Sequence, residues 1–249
     1  MHRAIDRGMT LPQFIALARR QFNMSHVELC QIHFASTEKA YLAELRTALA
    51  TQAIQVSSVP IDCAVPGVVD REKRLKNVTT LIGWLDVAAE LGALAARVNT
   101  GGDQRDERTV DAAIEAYALL AQAADERRLD LLIENHWGLS SDPNHIIRII
   151  REVNHPRLKT CPDLGNFDEA VRYDGLSMLR PYAGTVHIKS YRFDAQGNEL
   201  GFDFARAIEP FLDFTGVFCI EFEGDEADSD TDEVVGVTQS IRLLERYVR

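Results

Sequence analysis

Long apolar runs are what this sequence most plainly lacks. None approaches the roughly 18 to 20 residues that a membrane-spanning helix needs, and the opening stretch MHRAIDRGMT has no apolar centre of the kind a signal peptide carries. The expected setting is therefore soluble and cytoplasmic. Positive charge is also short: 27 Lys and Arg face 38 Asp and Glu, for a formal net charge of −11. Nucleic-acid binders need a basic face to displace counterions from phosphates, so nucleic acid and anionic membrane surfaces are set aside as partners. The four cysteines, Cys30, Cys63, Cys161 and Cys219, form no CxxC pair. That removes the usual sign of a zinc or redox motif and leaves buried reduced thiols as their expected state. No G-x-G-x-x-G turn follows an early strand, and with it goes the main sign of a dinucleotide-binding open sheet.

What is present is a repeat. At 249 residues and 46% hydrophobic, the chain can bury one large core, and a single domain over 1–249 is expected. Thr10 can cap a helix running LPQFIALARRQF, and the strand HVELCQIHF follows. The alternation continues through a helix near 37–52, IQVSSVPID, the helix REKRLKNVTTLIGWLDVAAELG, LAARVNTGG, a helix near 108–128 and LDLLIEN. It closes with a helix near 141–153, LKTCPDLGN, a helix near 168–180, GTVHIKSY, a helix near 203–213, GVFCIEFEG and the helix DEVVGVTQSIRLLERYV. Strand and helix in turn, at a pitch of about 30 residues, argue for an α/β fold with a parallel sheet, and the (β/α)8 TIM barrel is the better of its two common forms here.

Four consecutive strands of that repeat each deliver one metal-competent side chain near the carboxyl end. They are Glu134 in LLIE, Asp163 after LKTCP, His187 in TVHIK and Glu221 in VFCIE, spaced 29, 24 and 34 residues apart. Each gap is close to one β/α unit of a barrel that spends about 250 residues on eight. Taken singly, any of them could be a strand-end group held by a salt bridge. Taken together they would place three carboxylates and an imidazole on a short arc of the barrel mouth, where a divalent cation such as Mn²⁺, Co²⁺ or Mg²⁺ resolves their repulsion.

The segments ENHWG, DLGNF, VHIKS and IEFEG, preceded by LGALAARVNTGG, resemble the sugar phosphate isomerase/epimerase family with a xylose isomerase-like barrel. That family also includes ketose 3-epimerases, inosose dehydratases and hydroxypyruvate isomerases, and the resemblance runs over nearly the whole chain. It implies a metal held by Glu134, Asp163, His187 and Glu221, with Glu134 and Glu221 also serving as acid and base on a sugar or polyol-derived substrate. Ketose epimerases of this kind carry a substrate-gripping histidine three residues beyond the aspartate and an arginine six beyond the histidine. Here those positions are Asn166 and Phe193, with Arg192 one residue away.

Around this centre, His136, Lys189, Arg97, Asn166 and Trp137 are the candidate substrate-binding groups. The plain alternatives are that Lys189 only neutralises the acids, that Arg97 is a core salt bridge, and that Trp137 and Phe167 pack as core rather than line a sugar's apolar face. Glu28, His33 and Asp62 end earlier strands and would line the other half of the mouth. The chemistry would be proton abstraction next to a carbonyl, through an enediolate, giving epimerisation, isomerisation or, by loss of hydroxide, dehydration. A metal-cluster endonuclease of the related DNA-repair branch wants more than the seven histidines present and a less acidic surface; a non-catalytic sugar-binding barrel needs no symmetric acid/base pair. Only seven strands can be counted, and HRAIDRG resembles the loop after a first strand that the sequence does not contain. The expected barrel therefore lacks its first strand and has open edges that invite association with a second copy.

Overall fold

Thr10 opens the first helix as its sequence suggests. Its hydroxyl accepts from Gln13 N, Gln13 Oε1 accepts in return from Thr10 N, and Pro12 occupies the first turn. The computed structural model, which describes residues 8–224 and 232–248 together with Ile5, continues from this helix, α1 (Leu11–Phe22), into a regular alternation. The strands are β1 (His26–Glu28), β2 (Gln55–Ile61), β3 (Ala95–Val98), β4 (Asp130–Glu134), β5 (Leu158–Cys161), β6 (Thr185–Ser190) and β7 (Val217–Phe222). The remaining helices are α2 (Lys39–Gln52), α3 (Arg71–Glu90), α4 (Glu107–Glu126), α5 (Pro143–Val153), α6 (Glu169–Leu179), α7 (Phe204–Ile208) and α8 (Glu233–Leu244). Asp70, Asp106, Asp142, Asp203 and Asp232 each accept a backbone N–H in the first turn of α3, α4, α5, α7 and α8, which satisfies orphan donors and sets a negative charge at the positive helix end.

Every strand pair is parallel. β1 to β5 form one sheet in chain order, and β6 pairs with β7. The two sheets meet through single bridges, Thr160 with Ala183 and Asp163 with His187, carried by Gly184 N donating to Thr160 O and His187 N donating to Pro162 O at 2.9 and 2.8 Å. β3 and β6 are buried along their whole length, as parallel strands covered on both faces must be. Most of the core lies between the strands and the helices around them, while Ala95, Leu132 and Cys161, on neighbouring strands, form a separate small cluster.

Two elements differ from expectation. The strand foreseen over HVELCQIHF is only three residues long, because a register shift between Val27 and Glu28 breaks its pairing with β2 and Gln31–His33 turns into a 3₁₀ helix. The helix near 203–213 is five residues of α-helix followed by a 3₁₀ turn at Glu209–Phe211, where Pro210 has no N–H to give. Seven strands lie among the described residues, and none of them sits between β1 and β7. A cavity of about 740 Å³ lies there, walled by Leu11 and Phe14 of α1, Val27, Val217, Val237 and Ile241. HRAIDRG falls outside the described residues apart from Ile5 and Gly8.

Candidate metal centre

Three of the four spaced side chains arrive at or just past the carboxyl end of their strands, and His187 arrives from the middle of its own. Glu134 is the last residue of β4, Asp163 follows β5 behind Pro162, His187 is the third residue of β6 and Glu221 the fifth of β7. One ligand-type atom from each lies within 4.8 Å of all the others. His187 Nδ1 stands 3.0 Å from Glu134 Oε1, 3.1 Å from Glu221 Oε2 and 4.0 Å from Asp163 Oδ2. Glu134, Asp163 and His187 are 2%, 0% and 3% exposed, so the cluster sits in a region where bare charge is costly.

Asp163 is held most completely. Asn135 Oδ1 accepts from its backbone N at 2.7 Å, Asn135 Nδ2 donates to its carbonyl at 2.9 Å, and its Oδ1 accepts from the N–H groups of Gly165 and Asn166 at 2.8 Å each. Its second oxygen, Oδ2, makes no hydrogen bond, and neither do Glu134 Oε2 and Glu221 Oε2. Three buried carboxylate oxygens that make no hydrogen bond, beside one imidazole nitrogen, are a donor set that suits a hard to borderline divalent cation.

Two cations balance the acids from outside. Arg97 pairs with Asp62 and reaches Glu134 Oε2 at 3.2 Å. Lys189 Nζ lies 2.9 Å from Glu221, 3.0 Å from Glu223 and 3.6 Å from Asp163. Burial opposes the charge on Glu134, but Arg97 and His187 outweigh it and hold its pKa below the ordinary carboxylate value. Burial likewise opposes Glu221, where Lys189 and His187 prevail and hold it well below. Asp163 goes the other way: burial dominates the pull of Lys189 and raises it to about 7. Burial also opposes charging His187, yet Cys161, Glu28 and Glu134 keep its imidazole well above the usual value.

The candidate substrate groups divide. His136 and Arg97 line the cavity beside Glu28, Asp62, His187 and Glu221. Lys189 is turned into the acids, and Arg97 into Asp62 and Glu134. Asn166 donates to Glu134 Oε1 at 3.3 Å, so it braces a candidate ligand. Trp137 is 49% exposed in the loop after β4, whereas Phe167 is buried in the core, 1% exposed. Mouth loops close on one another where Gly138 (φ +70°) meets Gly101 (φ +60°) and Leu139 N donates to Gly101 O. NTGG is thus a site of close backbone approach between loops.

Sequence reasoning did not find the Asn135 clamp, nor that two cysteines face the centre. Cys161 lies against the His187 ring, and the register that pairs Lys189 with Glu221 pairs His187 with Cys219.

Comparison with known proteins gives one consistent fold. A family model described as xylose isomerase-like TIM barrel matches residues 17–247. A solved xylose isomerase-like TIM barrel protein from Mycobacterium smegmatis, in complex with magnesium, is 21% identical with a TM-score of 0.68, over 96% of this chain and 89% of that one. D-psicose 3-epimerase with D-tagatose, from Clostridium cellulolyticum H10, is 13% identical with a TM-score of 0.74, over 95% and 93%. The probable 3-DHS dehydratase AsbF from Bacillus anthracis is 16% identical with a TM-score of 0.69, over 94% and 93%. No curated protein matches the chain.

Proposed function

The chain belongs to the xylose isomerase-like TIM barrel family, and from that premise we propose that it is a divalent-metal-dependent isomerase or epimerase of a small sugar or sugar derivative. The observation that carries this is the convergence of Glu134, Asp163, His187 and Glu221, three of them bearing a buried oxygen with no hydrogen bond. These four residues would hold Mn²⁺, Co²⁺ or Mg²⁺. Such an ion, when bound, would polarise a carbonyl and the hydroxyl on the next carbon and so acidify the C–H of that carbon.

The proton work falls to Glu134 and Glu221. Both are kept ionised by their cationic neighbours, Arg97 for one and Lys189 for the other, so either can start as a base and the reaction can run in both directions. Glu221, with 28% of its side chain exposed against 2% for Glu134, is the more accessible from the cavity. Arg97 and Lys189 offset the negative charge that grows on substrate oxygen as the proton leaves. For an epimer, the second glutamate must first take a proton from water in the cavity and then deliver it to the same carbon from the opposite face, while the first gives its own proton up to solvent; return by the first glutamate to the adjacent carbon gives an aldose–ketose exchange. Dehydration is the second reading, favoured by the dehydratase among proteins of the same fold.

A panel of ketoses and inososes assayed with Mn²⁺ in D₂O tests this. One carbon-bound deuterium should enter product per turnover, and Glu134→Gln and Glu221→Gln should each lower the rate by about 10² to 10⁴. Product formed without deuterium, with both variants close to full activity, would sink the proton-transfer mechanism.

A further inference from the structure

His187 offers two ring nitrogens, and the structure surrounds them differently. Nδ1 faces Glu134, Glu221 and Asp163. Nε2 makes no hydrogen bond in the structure, and the carboxylate oxygen that faces it is Glu28 Oε2, at the end of β1 and 3.1 Å away, within reach of one. The Glu28 side chain is 10% exposed and the imidazole 4%, so neither group can exchange its partner for bulk water at little cost. A carboxylate at one nitrogen and a ligand set at the other give the ring a direction.

A neutral imidazole carries a single proton. With that proton on Nε2, the ring donates to Glu28 and presents the Nδ1 lone pair to the three carboxylate ligands. With the proton on Nδ1, the Nε2 lone pair would face the Glu28 carboxylate, two acceptors 3.1 Å apart, and no lone pair would point at the ligand set. Other neighbours of the ring do not select between these states. Cys161 and Cys219 present thiols, which are weak donors and weaker acceptors than a carboxylate, and the groups around Nδ1 are themselves the ligands.

We infer that Glu28 is the positioning residue of the metal centre: it accepts the Nε2–H of His187 and thereby fixes the tautomer and ring orientation that aim Nδ1 at Glu134, Asp163 and Glu221. Carboxylate-held histidines of this kind are a general means of tuning a metal ligand, and removing the carboxylate typically costs about 10- to 100-fold in metal affinity. The inference rests on the metal reading of the site given above. It also defines a role for β1, the shortest strand, whose pairing ends at the residue concerned.

The rival use of the same atoms is a second ion bridged by His187, because Glu28, His187 and Cys219 also bring one ligand-type atom each within 4.8 Å of one another. That arrangement needs a doubly deprotonated imidazole and a thiolate, and it would leave a signature that the positioning role does not.

The test is Co²⁺ and Zn²⁺ binding by the full chain, with Glu28→Gln, Glu28→Ala and Cys219→Ser as variants. Wild type should bind one ion per chain, Glu28→Ala should bind it about 10- to 100-fold more weakly, and Glu28→Gln, whose amide oxygen can still accept from Nε2–H, should fall between them. Unfolding of the metal-free variants separates loss of fold from loss of affinity, and Glu28→Gln keeps the volume if Glu28→Ala does not fold. In ¹⁵N-histidine spectra of the Zn²⁺-loaded protein, with His187→Gln used to assign the ring, the proton should sit on Nε2. No ion bound by wild type would refute the metal reading itself. Wild-type binding with equal affinity in both Glu28 variants, or a proton on Nδ1 of His187 in the loaded state, would overturn the role of Glu28. So would a second equivalent of Co²⁺ with a thiolate charge-transfer band lost in Cys219→Ser.

Discussion

Replacing Lys189 by methionine removes a buried cation from among three carboxylates and keeps the length of the side chain. Lys189 is 3% exposed at its side chain and faces Asp163, Glu221 and Glu223 at 3.6, 2.9 and 3.0 Å. Glu223, 52% exposed, is largely served by water and contributes little. Asp163 and Glu221 are left with uncompensated charge, and breaking a buried pair in this way costs about 3 to 5 kcal/mol. For a chain of this size that is a fall of roughly 6 to 20 °C in melting temperature of the metal-free protein. If, as proposed, a divalent ion meets the same carboxylates, its affinity should rise in Lys189→Met, by tenfold for about each 1.4 kcal/mol of repulsion it relieves. Differential scanning calorimetry with and without Mn²⁺, alongside isothermal titration, measures both sides. Equal metal-free stability of variant and wild type would show that Lys189 does not compensate the cluster. An equal loss with and without metal, at unchanged affinity, would show that the ion and Lys189 do not serve the same charges.

Metal affinity should also depend on pH in one direction. The Asp163 carboxyl, at about 7 in the metal-free protein, and the His187 imidazole, held well above its ordinary value, must both lose a proton before they can ligate. Affinity should therefore fall as pH drops below about 7, by at least tenfold per unit; a flat profile from pH 5.5 to 8, within an order-of-magnitude window about that value, would contradict it. Stability of the metal-free protein carries the opposite sign at Asp163: a folded pKa above the unfolded one favours the fold in acid and withdraws that contribution as pH rises toward about 7. Asn135→Leu leaves the buried N–H of Asp163 without its acceptor, so urea unfolding should show a loss of about 1 to 3 kcal/mol, together with weaker metal binding; unchanged values would mean that the clamp is idle.

How much of this was legible beforehand depends on what each feature required. The candidate cluster could be found because Glu134, Asp163, His187 and Glu221 come from successive β/α units, so sequence spacing alone carries them to neighbouring strands. Lys189 was legible by the same logic, two residues along a strand from His187. The Glu28 contact was not, since β1 and β6 are not paired and only the curvature of the barrel brings them face to face. Asn135 looked like any polar residue after a strand, because its partner is backbone and backbone leaves no mark in a sequence. The short β1 and the broken α7 turned on a register shift and on Pro210, of which only the proline was visible.

The division of the strands into a set of five and a set of two gives the centre a mechanical meaning. Glu134 and Asp163 belong to the five-stranded side, His187 and Glu221 to the pair. Beyond two single bridges, the pair is tied to the rest chiefly by packing, and one of its edges borders the cavity. Cooperative opening of such a unit, with its helix α8, needs less than global unfolding and would show as early hydrogen exchange of amides in β6 and β7. An ion bound across the four side chains would be a rivet between two foldons, raising the free energy of that opening by an amount that grows with the ion's concentration relative to its Kd and making the exchange of β6 and β7 a gauge of metal occupancy.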